Sequence, residues 1–283
     1  MKKIITILTF IALLFAPLSL LGQTRRALVI GLGDQLDKNW AKINGDKDVP
    51  YVTFMLQSCG YKDIQTLVNK EATKEGIVSA FRSLTSRCNK GDIVYIHYSG
   101  HGQQVTDVNG DEGYWDESWI PYDAYLQPCK KDNGEKHLID DDIGALLTAI
   151  KGKIGPKGKL LVVVDACHSG DSDLCLSPSE ADTIIVRGVV NKFNLPKKNK
   201  NKSQRLPKRW LMLSACKSGQ LNQELTQLHV GRLTYILYLL VNKGGVTMES
   251  IEKTMQKYPT QRRQTPTLSG DETESYNISD VLK

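Results

Sequence analysis

The sequence LLVVVDACHSG at positions 160–170 decides the fold, because it joins a run of aliphatic residues to a short polar turn. A second stretch, IVYIHYSGHG at positions 93–102, has the same plan, with an apolar run followed by polar residues and glycine. Continuous apolar runs of this length are typical of buried parallel strands, and glycine lets the backbone turn sharply where a strand ends. We therefore predict two parallel strands of one sheet, each ending in a turn.

The polar residues of these two turns include a histidine and a cysteine. Catalytic groups in open α/β sheets gather at the carboxyl ends of the strands, so the two turns are expected to bring His101 and Cys167 to one edge of the sheet. A free thiol titrates near about 8.5 and is only partly ionised at neutral pH, so a cysteine nucleophile needs a neighbouring base. The pair predicts cysteine-based nucleophilic catalysis.

The rest of the chain alternates between strand and helix patterns. Its 283 residues, 40% of them hydrophobic, suit one sizeable domain. Strands are predicted at 27–32, 64–68, 93–98, 160–164 and 210–213, and helices at 48–59, 73–87, 141–150, 232–241 and 248–258. Thr73 is the predicted N-cap of the second helix. This alternation predicts an α/β fold, a three-layer sandwich with a mainly parallel central sheet flanked by helices.

Residues 1–22 have the pattern of a secretory signal peptide. Lys2 and Lys3 form a basic start, an apolar run fills positions 4–15, and Gly22 is the best candidate for the last residue removed. A membrane anchor is the alternative, but the run is short for spanning and lacks a stop-transfer flank. We expect an exported protein, periplasmic or extracellular, that does not contact the membrane once the signal is removed.

The net charge is modest, but one segment is strongly basic. The formal charge is +6 and becomes +4 without Lys2 and Lys3. Residues 192–209 contain eight lysines and arginines and no acidic residue, together with Pro196 and Pro207, which is typical of a solvated loop. A nucleic-acid patch is disfavoured, because aromatic residues are hardly interleaved there. No nucleic-acid partner is predicted.

The six cysteines show no spacing typical of a compact disulfide framework. Cys59 lies in a helical pattern and Cys216 at a strand end, so both are expected to be buried. Cys129 and Cys175 stay open as partners in a disulfide, since an exported protein meets an oxidising compartment.

The two turn motifs resemble those of the caspase-fold cysteine peptidases of clan CD, and within that clan the metacaspases and their bacterial relatives. The resemblance extends over about 25–270 and includes LIDDDI at 138–143, LSAC at 213–216 and GRLTY at 231–235. It implies a caspase-like peptidase domain at 23–283. The domain would contain a large-subunit-like part at about 23–185, the basic loop at about 186–209 and a small-subunit-like part at about 210–283.

The resemblance implies a role for each residue of the two turns. His101 would be the base, Cys167 the nucleophile, and the amides of Gly102 and Cys167 the oxyanion hole. His168 is a poor base, because neighbours on an extended chain point to opposite sides, and His97 is predicted to be a core histidine. A zinc site built from these residues is disfavoured, because a histidine pair four residues apart shares a face only on a helix.

Specificity is predicted from acidic residues around the nucleophile. Asp165 lies two positions before Cys167 and hence on the same side, where a carboxylate would attract a basic P1 side chain, the substrate residue before the cleaved bond. The resemblance adds Ser99 and Asp48 to this S1 pocket, with Asp46 as the rival of Asp48 and N-capping as a further role of Asp48. Cleavage after arginine or lysine follows, whereas an acidic P1 residue conflicts with Asp165.

The resemblance also suggests calcium regulation, although the chemistry itself requires no cofactor. The matching acids are Asp116, Asp141, Asp142 and Asp173, with Asp171 as a rival for the last position. Oxygen ligands of this kind suit calcium. The simpler alternative for the acids at 140–142 is that they cap the helix that follows.

These observations predict an exported cysteine endopeptidase with a Cys-His dyad, which forms a thioacyl intermediate on protein or peptide substrates with a basic P1 residue. Self-processing is predicted at Arg187, Lys192 or the cluster at 197–208. Sites from Lys192 onward are favoured, because residues 183–190 are rich in β-branched residues and could form a strand. The alternative is a catalytically silent binding or scaffold protein that keeps the fold. The oligomeric state is not predicted.

Overall fold

The computed structural model describes residues 23–107, 115–167, 184–189, 191–195, 207–271 and 275–283. The predicted signal peptide therefore lies outside the described residues, as do His168, Asp171, Asp173 and Cys175. Within the described ranges, no helix is both long and apolar enough to cross a membrane.

The described residues form eleven strands and five longer helices. The strands are β1 Arg25–Gly31, β2 Asp63–Val68, β3 Ile93–Ser99, β4 Gly102–Thr106, β5 Trp115–Trp119, β6 Leu138–Ile139, β7 Lys159–Asp165, β8 Leu211–Ser214, β9 Glu224–Leu225, β10 Val230–Gly231 and β11 Thr267–Ser269. The helices are α1 Gly45–Ser58, α2 Lys74–Arg87, α3 Asp140–Ile154, α4 Arg232–Asn242 and α5 Met248–Met255.

Six of the strands make the central sheet, in the order β11-β8-β7-β3-β1-β2. All neighbours in it are parallel except β11, which pairs antiparallel with β8. The predicted mainly parallel sheet is confirmed. A second sheet, β4-β5-β6, is antiparallel and begins directly after His101.

Side chains alternate across the central strands and thereby build two separate cores. Ala27 and Val29 of β1 pack on one face with apolar residues of α1, α4 and α5. Leu28 and Ile30 pack on the other face with α2 and α3. Because successive residues of a strand point to opposite faces, a continuous apolar run is what a sheet covered on both sides requires. The three-layer sandwich is confirmed.

Helix α1 starts earlier than predicted, and this changes the role of Asp48. The helix begins at Gly45 with Asn44 as its N-cap residue, so the prediction that Asp48 caps it is wrong. A Cβ atom on Gly45 would lie 2.4 Å from the carbonyl oxygen of Leu32 and 2.5 Å from that of Ser99. Glycine therefore lets the helix begin against the strand ends. Asp48, one turn later, is placed beside β3 and is fully buried.

The other local predictions can be compared directly with the structure. The Oγ1 atom of Thr73 accepts a hydrogen bond from the Gly76 amide at 3.0 Å, so the predicted N-cap of α2 is confirmed. Cys59 and Cys216 are buried, as predicted, and Cys129 is an exposed free thiol. No disulfide is found in the part of the chain that the structure describes.

Candidate active site

The register of the central sheet brings the two predicted catalytic residues to one edge. Strand β3 pairs with β7 so that Ser99 lies opposite Asp165. His101 and Cys167 each follow two residues after this pair, at the carboxyl ends of adjacent parallel strands. Both are almost completely buried, at 0% and 1% exposure.

His101 is held in the tautomer that a base requires. Its Nε2 atom lies 2.8 Å from the carbonyl oxygen of Ala41. Since a carbonyl oxygen can only accept, the proton is on Nε2 and the Nδ1 atom is left as the acceptor. Nδ1 has no hydrogen-bond partner among the residues that the structure describes. Burial lowers the pKa of His101 to about 4, so the imidazole is neutral at pH 7 and can take a proton.

The thiol of Cys167 lies in a small cluster with Cys216 and Leu221. Its Sγ atom donates to the carbonyl oxygen of Gln220 and accepts from the amide of Asn222, each at 3.3 Å. A hydrogen bond with Cys167, together with burial, raises the pKa of Cys216, which therefore remains a neutral thiol. In this arrangement the Cys167 thiol donates its hydrogen bond to Gln220 and not to His101.

Three carboxylates surround one arginine, Arg187, which is hydrogen-bonded to the backbone of Cys167. Nη1 and Nη2 of Arg187 donate to the two carboxylate oxygens of Asp48 at 2.5 and 3.1 Å, and Nε donates to Glu224 at 2.9 Å. Asp165 lies 3.6 Å from Nη1. All four side chains are completely buried. The arrangement is a pocket built for a guanidinium group, because the fork of donors is matched by acceptors on two sides.

Neighbouring groups fix Asp48. Ser99 donates to Asp48 Oδ2 at 2.6 Å, and the amide of Gly231 donates to Asp48 Oδ1 at 2.8 Å. Asp46, the rival from the sequence, is half-buried and pairs with Lys47 at 3.1 Å. The structure thus places Asp48 and Ser99 together in the pocket and Asp46 in a surface ion pair.

Asp165 is bound mainly by the protein itself. Asn222 Nδ2 donates to its Oδ1 atom at 2.7 Å, and the Thr234 amide and hydroxyl donate to Oδ2 at 2.9 and 2.7 Å. Burial raises the pKa of Asp165, but the Arg187 guanidinium and these hydrogen bonds outweigh burial and hold it below its usual range. Asp165 is therefore a charged wall of the pocket, and Asp48 makes the shorter contacts with the arginine.

Several pocket residues had no role in the sequence analysis. Glu224 supplies the third carboxylate, and its own Oε1 atom also accepts from the amide of Asn44 at 2.7 Å. A Cβ atom on Gly231 would lie 2.3 Å from Asp165 Oδ2 and 2.5 Å from Arg187 Nη1, so only glycine leaves room for the guanidinium there. Both follow β8, whose carboxyl end lies at the same edge of the sheet, and Gly231 belongs to the family-like stretch GRLTY at 231–235.

His97 borders the pocket, and the proposed metal ligands lie away from it. His97 is a buried residue of β3 that contacts Tyr95 OH at 3.0 Å and Ser99 Oγ at 2.9 Å. Asp116 is buried in β5, Asp141 lies in the first turn of α3, and Asp142 pairs with Lys74 at 2.9 Å.

No group of three or more histidines, cysteines and acids that could hold a metal occurs in the described ranges. Asp116, Asp141 and Asp142 do not form such a group with one another, and Asp173, the fourth predicted ligand, lies outside the described residues. The acids at 140–142 occupy the first turn of α3, where they complement the helix dipole.

The fold and this site together define a caspase-fold cysteine peptidase. The family model for the metacaspase peptidase C14 domain matches residues 25–174, more than half of the chain, so the chain belongs to the metacaspase family. The resemblance predicted from the sequence is confirmed.

The chain is similar to named fungal metacaspases and to two solved structures. It is 34% identical to metacaspase-1A of Neurospora crassa over 61% of this chain and 37% of that protein, and 35% identical to metacaspase-1 of Meyerozyma guilliermondii over 47% and 29%. It thus spans about a third of the length of these curated relatives.

A crystal structure of a Geobacter sulfurreducens protein matches with a TM-score of 0.63 and 23% identity, covering 92% of this chain and 97% of that one. Caspase-1 from Spodoptera frugiperda matches with a TM-score of 0.56 and 12% identity, covering 88% and 86%. At these identities the two structures show the shared fold.

We predict that acidification destabilises the protein, because three of its histidines are buried. Burial lowers the pKa of His97, His101 and His137 to about 4 in each case, whereas an unfolded histidine titrates near about 6.5. Between these values the unfolded chain binds more protons, so the stability present above pH 6.5 is lost as the pH falls toward 4. Each group contributes up to about 1.4 kcal/mol per pH unit in this window. Urea denaturation between pH 7.5 and 4.5 measures the free energy of unfolding.

The matched control for this prediction is His229, which is exposed. His97→Gln is expected to flatten the dependence of unfolding free energy on pH, and His229→Gln to leave it unchanged. A wild-type free energy of unfolding that is constant from pH 6.5 to 4.5 would contradict the prediction.

Proposed function

We propose that this protein is an endopeptidase that hydrolyses peptide bonds after arginine, and less well after lysine, with Cys167 as nucleophile and His101 as base. The observation that carries the proposal is the buried pocket in which Asp48, Asp165 and Glu224 surround a guanidinium group beside the nucleophile. Burial lowers the pKa of Arg187, but the three carboxylates outweigh burial and raise it well above its usual range. The pocket therefore stabilises a positive charge.

The mechanism follows from the groups at the sheet edge. His101 accepts the Cys167 proton on Nδ1, and the thiolate attacks the carbonyl carbon of the substrate P1 residue. The oxyanion that forms is stabilised by the amides of Gly102 and Cys167. His101 then passes its proton to the leaving amine, and a water molecule hydrolyses the thioacyl intermediate. Thiol and imidazole suffice for these steps, so the chemistry needs no cofactor.

The pocket geometry favours arginine over lysine. A guanidinium group presents donors on Nε, Nη1 and Nη2 in one plane, and here they reach Glu224 and both oxygens of Asp48. A lysine ammonium has its three donors on one atom and cannot satisfy carboxylates on two sides of the pocket at these distances. Lysine is therefore expected to bind with fewer short contacts.

The alternative, a silent scaffold of the same fold, is disfavoured by how completely the catalytic groups are arranged. His101 has a fixed tautomer, and its base nitrogen is left as an acceptor. The glycine that opens the pocket is also present, at Gly231. A chain that had lost catalysis would have no physical reason to keep buried charges and an unpaired imidazole nitrogen together, since both lower stability.

Export, calcium regulation and self-processing are further parts of the proposal. Export after cleavage behind Gly22 is supported by the basic and apolar pattern of residues 1–22. Calcium regulation is supported by the family resemblance alone, because the described acids do not form a metal group. Self-processing is supported by the basic P1 pocket and by the basic segment that lies between the two parts of the domain.

Fluorogenic peptides test the proposed specificity. The peptides carry Ile-Ile-Val, the sequence of residues 184–186, followed by arginine, lysine, citrulline or aspartate at the P1 position X, and are measured with and without calcium. We expect kcat/KM for arginine to exceed that for lysine by about tenfold or more, because one charge-assisted hydrogen bond accounts for a factor of this size. Citrulline keeps the shape of arginine without its charge and should be cleaved poorly. Equal rates for arginine and citrulline would show that the acidic pocket does not bind P1.

A further inference from the structure

One segment of the chain crosses the proposed active site like a bound peptide. The amide of Arg187 donates to the carbonyl oxygen of Asn222 at 3.0 Å, and the amide of Glu224 donates to the carbonyl oxygen of Ile185 at 3.0 Å. Val186 and Gln223 form an antiparallel bridge between these two bonds. Addition of an extended strand to an exposed strand edge is a common way for a protein to bind a peptide.

The carbonyl oxygen of Arg187 lies in the proposed oxyanion hole. It accepts a hydrogen bond from the Cys167 amide at 2.7 Å and another from the Gly102 amide at 3.3 Å. These are the two donors that the mechanism requires on the oxygen of a substrate P1 residue. No other carbonyl can occupy that position while Arg187 holds it.

The residue after Arg187 lies against the nucleophile. Gly188 bridges Gly102, and a Cβ atom on Gly188 would lie 2.4 Å from the Cβ of Cys167. A larger residue would collide with the nucleophile's own side chain, so glycine permits this close approach. The bond between Arg187 and Gly188 is thus held directly over Cys167.

Four features of a P1 residue therefore coincide in Arg187. Its side chain fills the acidic pocket, its amide pairs with the neighbouring strand, its carbonyl oxygen lies in the oxyanion hole, and its C-terminal neighbour contacts the nucleophile. We propose that Arg187–Gly188 is the bond at which the enzyme cuts its own chain, and that the uncut chain is inhibited because Arg187 occupies the specificity pocket. This inference rests on the proposed function.

The cleavage step is balanced by groups already at the site and one water molecule. The Cys167 proton passes to His101, and the sulfur forms a bond with the Arg187 carbonyl carbon. The carbon–nitrogen bond to Gly188 breaks as His101 gives the proton to the Gly188 nitrogen. Water then hydrolyses the thioester, which leaves a carboxylate on Arg187 and restores the thiol.

The contacts of the thiol explain how the uncut chain can persist. The Cys167 thiol donates to Gln220 at 3.3 Å, so it must leave this contact before His101 can take its proton. Cleavage of the Arg187–Gly188 bond is accordingly expected to be slow.

The structure favours Arg187 over Lys192, the first of the sites that composition favoured, and residues 197–206 of the basic cluster lie outside the described residues. Lys192 extends its ammonium over the ring of Trp115 at 4.4 Å. The neighbouring Phe193 pairs with β4, donating to Gln104 at 2.8 Å and accepting from Thr106 at 3.0 Å. Lys192 is thus bound to the antiparallel sheet and its side chain does not reach the acidic pocket.

Intact mass and terminal mapping of the full chain test the inference. The proteins compared are wild type, Cys167→Ala, Arg187→Lys, Arg187→Gln and the control Lys192→Gln. Wild type and Lys192→Gln should give a new C-terminus at Arg187 and a new N-terminus at Gly188, and Cys167→Ala should stay whole. The Arg187→Lys protein should be cut more slowly than wild type by a factor of about ten or more, because lysine cannot make the forked contacts of the guanidinium group. Arg187→Gln should remain uncut at this bond.

Activity on the Ile-Ile-Val-Arg peptide, measured on the same samples, separates the two hypotheses. Peptide hydrolysis should rise in proportion to the cut fraction, and with Arg187→Lys it should rise correspondingly later. Full peptide activity in a chain still joined at 187–188, or a cut at Lys192 instead, overturns the inference while the peptidase assignment stands. Absence of self-cleavage in wild type, together with absence of peptide hydrolysis in a folded Arg187→Gln protein, whose pocket holds no guanidinium group, overturns the proposed function as well. If the Arg187→Gln protein fails to fold, the self-cleavage rate and the new chain termini of the Arg187→Lys protein test the inference alone.

Discussion

Replacing Cys167 by alanine is expected to abolish peptide hydrolysis, and replacing His101 by alanine is expected to reduce it nearly as far. Removal of a nucleophile or of its base costs about three to six orders of magnitude in kcat in enzymes of this kind, while contacts that only bind substrate remain. The effect should appear in kcat rather than in substrate binding, because neither side chain belongs to the acidic pocket. Initial rates on the arginine peptide measure it.

The chain offers matched controls for both substitutions. Cys129 is an exposed free thiol and His229 an exposed imidazole, and neither contacts the site. Cys129→Ala and His229→Ala should keep wild-type rates. A Cys167→Ala protein as active as wild type would exclude the peptidase assignment, and an active His101→Ala protein would assign the base to another group.

The position of this pair could be predicted from sequence because strand ends are local features. The apolar runs at 93–96 and 160–164 identify two buried strands, and parallel strands place their carboxyl ends at one edge. His101 and Cys167 follow directly from that rule, without knowledge of any long-range contact. The same reasoning placed Asp165 near the nucleophile, two residues before it.

The remainder of the pocket depends on contacts between distant parts of the chain. Glu224 reaches Arg187 from the start of β9, and Asp48 does so because α1 begins at Gly45, earlier than its apolar pattern suggests. Neither contact leaves a periodic signal. The antiparallel sheet of β4, β5 and β6 was not predicted either, since β4 and β5 contain several polar residues and β6 is only two residues long.

Arg187 shows the limit of composition as a guide. The sequence marks residues 192–209 as the basic, solvated segment, and cleavage generally concentrates in such segments. Recognition by the proposed pocket needs something else, namely an extended backbone that pairs with 222–224 and one arginine placed over the acids. The β-branched residues around Arg187 favour an extended backbone, but only the tertiary structure shows what that backbone pairs with.

Replacing Asp48 by asparagine is expected to lower kcat/KM for arginine peptides by about a hundredfold or more. Asp48 accepts from two guanidinium nitrogens, and each charge-assisted hydrogen bond contributes about 1.5–3 kcal/mol. Asparagine can accept on one side only and turns a donor toward the guanidinium on the other. The citrulline peptide, which has no charge to lose, should be affected far less, and the ratio of the two rates measures the effect of charge.

Substitutions of two neighbouring aspartates show whether the effect is specific to Asp48. Asp46→Asn alters the same helix turn but removes only a surface pair with Lys47, so it should change neither rate nor stability. Asp165→Asn should lower arginine cleavage less than Asp48→Asn, since Asp165 lies 3.6 Å from the guanidinium. The Asp165→Asn substitution should lower the thermal stability of the protein more than it lowers the cleavage rate. The reason is that the donors of Asn222 and Thr234 lose a charged acceptor. If Asp46→Asn rather than Asp48→Asn abolishes the preference for arginine, the P1 side chain binds at the start of α1 and not in the pocket that Arg187 fills.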